Sequence, residues 1–487
     1  MLRFASGSSE RDVLVTGVGA VTPAGLTAVD TFRFVQRGDV SARSLTSSDI
    51  DHWTGLGQVA GLQRSGCVVD HRQVAALLGR SGLSGQIQQA GLHEVLAEPM
   101  IAMALLAFAE AWRSAGFSPE FLPGDNLPER TAVVFGGSKG GLRTAERLVA
   151  MERQVRADSR SAWRSPVAAG AHAAIIAGSA GLQPGCPQSA ACESAGESVI
   201  EPAQMAQMAQ MAQIWRRQVG TDAATLAIAG LLQAEAGVLC PVAACATGLI
   251  AVLQGAALVA SGQCDVCVVG SADAALRASV LSSFHRLGVL SRRGPAELAC
   301  RPFDVQRGGF VVGEGAGVLI LESRRNARRR GVAGLCRVLG GGWLSDPTGL
   351  TQMDESGEVV QQVLRRCCEV NAVQPGILGL HGTATETNDL VEARGVSAAG
   401  LSDVSECYAT KGSTGHLLGA AGSVETILAV QGIAAGQRPG TVNLSQQDER
   451  CQLRMARHAA AVSSREVWGK LSLGFGGHVA CGLFVAD

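Results

Sequence analysis

The chain has 487 residues, 47% of them hydrophobic, and a net charge of −1. That is a globular composition with enough length for two lobes. The balanced charge removes any global electrostatic case for nucleic acid or a membrane surface as partner.

The fourteen cysteines show no disulfide-like spacing, and Met1–Arg11 is short and polar rather than a secretory leader. Both features suit reduced thiols in a cytoplasm. No apolar run reaches membrane-spanning length; the longest, Met100–Phe108, reads as a buried helix.

In chain order, Asp12–Gly19 is a strand running into a glycine turn. It half-imitates a dinucleotide fingerprint, but Thr22 and then Pro23 stand where the third glycine belongs, so a buried first strand is the reading. Residues 36–95 are irregular, and His52, His71 and His93 are taken as surface residues. A helix spans about Ala97–Ala115. The strand Thr131–Phe135 then enters Gly136–Gly141, which is not a phosphate loop because Lys139 is not followed in frame by Ser or Thr. Arg143, Arg147, Arg153, Arg156, Arg160 and Arg164 make a basic helical stretch, either a solvated face or a dock for an acidic partner. Residues 165–220 form an insertion whose Gln-Met-Ala repeats predict a helix with a stripe of Met205, Met208, Met211 and Ile214.

Val242–Ala244 reads as the end of a buried strand, and an apolar helix starts at Thr247. Cys245 sits at the joint, facing the first free helix N–H groups and the positive end of the dipole, both of which favour thiolate. The same stretch also fits a buried structural cysteine. Asp265–Ala272 is a buried strand. Cys264 and Cys267 make a CxxC with no second pair at zinc spacing, so no metal site is expected.

From Arg301 the chain repeats itself in character. Val13–Gly17 corresponds to Gly334–Gly340, the Cys245 turn and helix to the His416 turn and helix, and Val266–Ala272 to Lys470–Gly476. Two α/β halves with mostly parallel or mixed sheets follow, at 12–295 and 296–487, packed around one cleft. A thiolate beside His381, His416 and Lys411 suits acyl transfer through a thioester. Carbon–carbon bond formation would need a carbanion, which decarboxylation of a malonyl thioester generates without a strong base. Two imidazole N–H groups could hold the enolate oxygen. The Cys245 and Phe475 backbone N–H groups could form a second oxyanion site.

The motifs Ala244-Cys245-Ala246-Thr247-Gly248, Arg301-Pro302-Phe303-Asp304, Gly313-Glu314-Gly315-Ala316-Gly317, His381-Gly382-Thr383-Ala384-Thr385, Lys411–Gly422 and Gly474-Phe475-Gly476-Gly477 occur in one order. In this the chain resembles the beta-ketoacyl-acyl-carrier-protein synthases of the thiolase-like superfamily, over residues 225 to the end and at the opening strand. The resemblance implies a layered αβαβα fold and a decarboxylative Claisen condensation in fatty-acid or polyketide-like synthesis. It implies Cys245 as nucleophile, His381 and His416 on the malonyl carbonyl, Lys411 with Glu425 supporting them, and Phe475 as gate. The two-histidine pattern is similar to the elongating members. Glu314 and Asp304 would be supporting residues; Lys139, Phe284 and Leu473 would line the acyl pocket. No cofactor would be held permanently, since substrates ride on the phosphopantetheine of an acyl carrier protein. A homodimer, or a heterodimer with a related subunit, is implied.

Departures from the pattern are Lys139, at a usually apolar or small position, where it is either a solvated loop lysine or a specificity residue that disfavours a long saturated acyl chain, Leu473 for a common Phe, and Gly308 for a common acid. His93-Glu94 and Glu98 stand where a basic cluster is usual, which moves expected carrier docking to Arg286, Arg292, Arg293 or the 143–164 stretch. The alternative function is a non-catalytic, chain-length-factor-like partner, for which the thiol would be unnecessary. A degradative thiolase is set aside because Cys481 lies past the glycine turn.

Overall fold

The computed structural model describes residues 1–4, 10–46, 49, 65–118, 130–158 and 202–487. Ten strands carry the architecture: β1 (Val13–Val21), β2 (Thr131–Gly136), β3 (Gly237–Leu239), β4 (Val266–Asp273), β5 (Gly315–Ser323), β6 (Cys336–Ser345), β7 (Ile377–Gly379), β8 (Glu406–Tyr408), β9 (Trp468–Gly474) and β10 (His478–Val485). They are hydrogen-bonded in the order β8-β7-β9-β10-β6-β1-β5-β4-β2-β3. The order β1-β5-β4-β2-β3 repeats as β6-β10-β9-β7-β8, so the correspondences between halves hold strand for strand. The two flanks pair parallel, while the middle pairs antiparallel. The halves meet where Val13, Leu14 and Val15 pair with Val338, Arg337 and Cys336.

This order carries the first half through β5 to Ser323, past the boundary at 295 expected from sequence. β5 fills the slot between β1 and β4, and the stretch before it is a loop leading in rather than the start of the repeat.

Among the helices are α1 (Pro99–Ser114), α2 (Leu142–Asp158), α3 (Pro202–Gln218), α4 (Ala223–Leu232), α5 (Thr247–Ala260), α6 (Ala278–Arg286), α7 (Glu358–Asn371), α8 (Glu386–Ala398) and α9 (Ala421–Ala435). Helices α1 and α4 cover the first half-sheet, α7 and α8 the second, and α5 with α9 lie between, giving five layers and three apolar cores. Helix α1 is apolar nearly all round and is buried accordingly. The run Leu418–Ala435 is long and apolar enough to cross a membrane by length, a stretch the sequence reading passed over, but it is 83% buried as a core element.

Helices α5 and α9 begin side by side, and this positions the site. A Cβ on Gly248 would lie 2.2 Å from the Ser423 nitrogen, and one on Gly422 would lie 2.5 Å from the Leu249 nitrogen. Only two glycines allow the helix starts this close, so the loops before them open into one space.

Two further sequence expectations change. β3 ends at Leu239 and is an edge strand rather than a buried one: Val238, Leu239 and Val242 are 40%, 44% and 53% exposed. His71 is not a free surface residue; its Nε2 lies 2.9 Å from Glu314, whose carboxylate also accepts the Val69 N–H. His93 is exposed as expected; His52 lies outside the described residues. The repeats at the end of the insertion do form a helix, α3, which docks through buried Met211 and through Gln218, the acceptor of the Thr144 hydroxyl. The Met205 and Met208 side chains, residues 165–201, and the side chains of Arg153, Arg156, Arg160 and Arg164 are outside the described set.

Candidate active site

Cys245 occupies a single 3-10 turn, Ala244–Ala246, immediately before α5. Ala244 takes a φ of +47°, in the left-handed region disfavoured for alanine. Thr247 holds the turn: its hydroxyl accepts the Ala243 N–H at 2.9 Å and donates to the Ala244 carbonyl at 2.7 Å. From the other half, β9 presses on the same turn. A Cβ on Gly474 would lie 2.6 Å from the Ala243 oxygen and 3.1 Å from the Cys245 nitrogen. The backbone entering Phe475 therefore lies against the Cys245 N–H.

His381 follows β7, and its position is set by α8. The Glu392 carboxylate accepts the His381 and Gly382 N–H groups, both at 2.6 Å. The Lys411 ammonium lies 3.2 Å from His381 Nδ1, 2.5 Å from the His381 carbonyl and 2.5 Å from Glu425. An ammonium can only donate, so Nδ1 accepts and the ring proton sits on Nε2. His416 is held by main-chain bonds to Val311 and Gly313. Its ring stands edge-on to Phe310 at 4.9 Å and to His381 at 5.3 Å. One ligating atom from each of Cys245, His381 and His416 lies within 4.8 Å of the others.

Burial decides the charge states. It pushes the Cys245 thiol up to about 11, against the pull of the Lys139 and Lys411 ammoniums. The thiolate expected at a helix start is therefore not the resting form: desolvation outweighs the favourable charges. Burial, then Lys411, His416 and Lys470, holds His381 well below the ordinary imidazole range. Burial, then Lys411 and Lys139, does the same to His416. The resting site is one thiol and two neutral imidazoles. The three ligating atoms cluster closely enough to hold a metal ion, but the Lys411 ammonium beside His381 would repel a cation there.

The sequence reading missed Lys470. It is buried, 2.9 Å from Glu425, and donates to the Leu380 carbonyl at 3.1 Å and to Leu471. Glu425 thus lies between two ammoniums. A lone lysine inside an otherwise apolar strand was the available signal. Glu392, pushed up to about 7 by burial, and Phe310 were also missed.

A cavity of about 440 Å³ opens onto the thiol, with walls that include His381, His416, Phe284, Phe310, Leu473 and Phe475. Phe284 and Leu473, expected at an acyl pocket, both line this cavity. His478, given no role from sequence, also lines it. Lys139 does not: it is exposed rather than buried, with Nζ 5.8 Å from the centre of the Phe284 ring. Neither of the two supporting residues lines this cavity, and both make structural contacts. Glu314 pairs with His71, and Asp304 accepts from Ser445, Gln446 and Gln306.

Two family descriptions match: "Beta-ketoacyl synthase, N-terminal domain" over residues 10–205 and 188–327, and "Beta-ketoacyl synthase, C-terminal domain" over 335–445. Similar curated proteins include 3-oxoacyl-[acyl-carrier-protein] synthase 2 of Mycobacterium bovis, 32% identical over 252 residues, which is 50% of this chain and 60% of that protein. The mitochondrial 3-oxoacyl-[acyl-carrier-protein] synthase of Arabidopsis thaliana is 29% identical over 92% of this chain and 87% of its own. The mycobacterial match thus spans less than two thirds of that relative, whereas the plant one spans most of it. Among solved structures, a type II PKS ketosynthase in complex with its acyl-carrier protein superposes with a TM-score of 0.73 at 20% identity, covering 98% of this chain and 100% of the other. A beta-ketoacyl synthase from Burkholderia phymatum gives 0.69 at 20% identity, with 98% and 99% covered. These likenesses establish the layered fold.

Proposed function

The chain belongs to the beta-ketoacyl synthase family, and from that premise we propose that it condenses an acyl group held on Cys245 with a malonyl-carrier thioester, in fatty-acid or polyketide-like synthesis. The single observation that carries this is the meeting of the Cys245 thiol, from one half, with two neutral imidazoles from the other, all within 4.8 Å.

The chemistry follows from the charge states. With a thiol near 11, only about one molecule in 10⁴ is ionised at pH 7. Attack on an acyl thioester therefore needs a base. His381 has its Nδ1 lone pair engaged by Lys411, so His416 takes the proton while the sulfur–carbon bond forms. That proton passes to the departing carrier sulfur as its carbon–sulfur bond breaks, and His416 returns to neutral. Bringing the Cys245 and Phe475 N–H groups together supplies donors for the tetrahedral oxyanion. In the second step the malonyl carbonyl oxygen accepts the Nε2–H of His381, and the N–H of His416 once that ring has exchanged to the tautomer that presents its proton to the cavity. The bond to the carboxylate breaks, carbon dioxide leaves, and the electron pair becomes an enolate. Neutral rings are suited to this, because they donate without protonating the enolate outright. The enolate carbon attacks the Cys245 thioester, the carbon–sulfur bond breaks, and the Cys245 sulfur takes up one proton from solvent, the proton consumed in the overall reaction.

An acidic acyl carrier protein is the partner we assign to the cavity rim. Exposed Leu287 lines the mouth, and exposed Arg286, Arg292 and Arg293 flank it. Edge strand β3, with exposed Val238 and Leu239, supports pairing with a second chain. The free thiols of the described cysteines agree with a reducing compartment such as a cytoplasm.

The test is intact-mass detection of an acyl adduct on the purified protein after incubation with acyl-carrier thioesters. The adduct forms, disappears in Cys245→Ala, and is consumed when malonyl-carrier is added. A protein that takes no acyl group from any donor is instead a non-catalytic partner of a condensing subunit.

A further inference from the structure

The loop that carries Lys139 is built to a fixed position. The fully buried Asp273 carboxylate accepts the Ser138 and Lys139 N–H groups and the Ser138 hydroxyl, at 3.1, 3.2 and 2.6 Å. The same carboxylate accepts the Gly419 N–H at 2.6 Å, in the turn just after His416. At the loop's end Gly140 has a φ of +69°, and a Cβ there would sit 2.2 Å from the Val219 oxygen. One carboxylate thus ties the Lys139 loop to the catalytic loop of the other half.

The ammonium stands 5.8 Å from the Phe284 ring, and that ring is part of the cavity wall that faces Cys245. Around it Leu276, Leu281, Phe284, Phe310 and Leu418 form one apolar cluster, against which Leu142 and Cys245 pack. Among the described residues no carboxylate lies within ion-pair distance of Lys139. Its charge nonetheless reaches the site, and it draws down the thiol ahead of Lys411. A methylene chain that leaves the sulfur along Phe284 would emerge from these apolar walls beside an exposed ammonium with no carboxylate within ion-pair distance. A methyl terminus would take water from that ammonium and return nothing, whereas a carboxylate would pair with it.

We propose that Cys245 prefers acyl groups whose far end carries a carboxylate, received by the Lys139 ammonium beside Phe284. This rests on the condensing reading above, with the acyl transfer itself unchanged. A site built around a charged partner discriminates much more strongly than an apolar pocket does.

The experiment compares carrier thioesters of equal length, hexanoyl against adipoyl and butyryl against succinyl, by the rate of adduct formation on Cys245. The wild type labels with the ω-carboxylated donor at least about tenfold faster at one of the two lengths. Lys139→Met loses that preference while still labelling with the alkyl donor, and Lys139→Arg keeps it. Equal rates for both donors in the wild type overturn the proposal. So does a preference that survives in Lys139→Met, or a Lys139→Met variant that slows both donors alike, which would make Lys139 an aid to the thiol only. Failure of every donor, with Cys245 still alkylated by iodoacetamide, sinks the acyl-transfer reading itself and is thereby told apart.

Discussion

Glu425 lies between two buried lysines, and removing its charge is the most informative single perturbation. Lys411 and Lys470 approach its two oxygens at 2.5 and 2.9 Å, and all three side chains are almost wholly buried. Glu425→Gln keeps the shape but leaves two ammoniums facing an uncharged amide. Breaking one buried pair costs about 3–5 kcal/mol, and with two cations affected we expect at least the upper part of that range, measured as ΔG by urea unfolding at pH 7. Lys470 also donates to backbone carbonyls, which softens its share. Removing it as well, in Glu425→Gln/Lys470→Met, leaves a single orphan cation and recovers about 1–3 kcal/mol relative to Glu425→Gln alone, a non-additivity expected of groups in contact. In Glu425→Gln the Lys411 contact to His381 loosens, so malonyl-carrier decarboxylation falls by about 10–100-fold. A Glu425→Gln protein within about 0.5 kcal/mol of wild type, or a double variant less stable than the single one, would refute the account of a shared counter-ion.

Alkylation of Cys245 by iodoacetamide should accelerate about tenfold per pH unit between 7 and 10 and level off near 11, because burial raises the thiol; a plateau already reached at pH 7 contradicts this. Gly474→Ala forces a methyl to within 2.6 Å of the Ala243 oxygen. It should cut acyl-adduct formation on the order of 10²-fold while costing about 1–3 kcal/mol, and a near-wild-type labelling rate would show that β9 need not touch the Cys245 turn. Glu110, far from the site, is pushed up to about 7 by burial despite accepting the Ala20 and Ala28 N–H groups. Its folded-state pKa is raised, so its stabilising contribution is complete below about 4.5 and is lost as the pH rises through 7. The urea midpoint should therefore fall more between pH 5 and 8 in wild type than in Glu110→Gln, and equal slopes would exclude this group as the cause.

Much of this was legible in the chain before folding. Strand–helix alternation and the recurrence of a turn-plus-helix at Cys245 and His416 foretold two like halves, because period and glycine placement are local properties. The same locality explains the errors. The boundary at 295 failed because β5 belongs to the first half by virtue of its neighbours β1 and β4. β3 was taken as buried because its residues are apolar, but nothing in the described chain pairs with its far side. His71 carries no local sign that it will meet Glu314, some 240 residues later.

By itself the sequence determined which groups are available for chemistry, one thiol, two imidazoles and a lysine, and the turns that present them. The tertiary structure alone decided their protonation. A helix start taken in isolation favours thiolate, but packing the two halves strips most of the solvent from the half-buried Cys245 and raises its pKa. The same packing sets Lys411 and Lys470 near His381 and keeps the ring neutral. Desolvation and long-range charge depend on what surrounds a residue in space, and no local reading of neighbours along the chain contains that information.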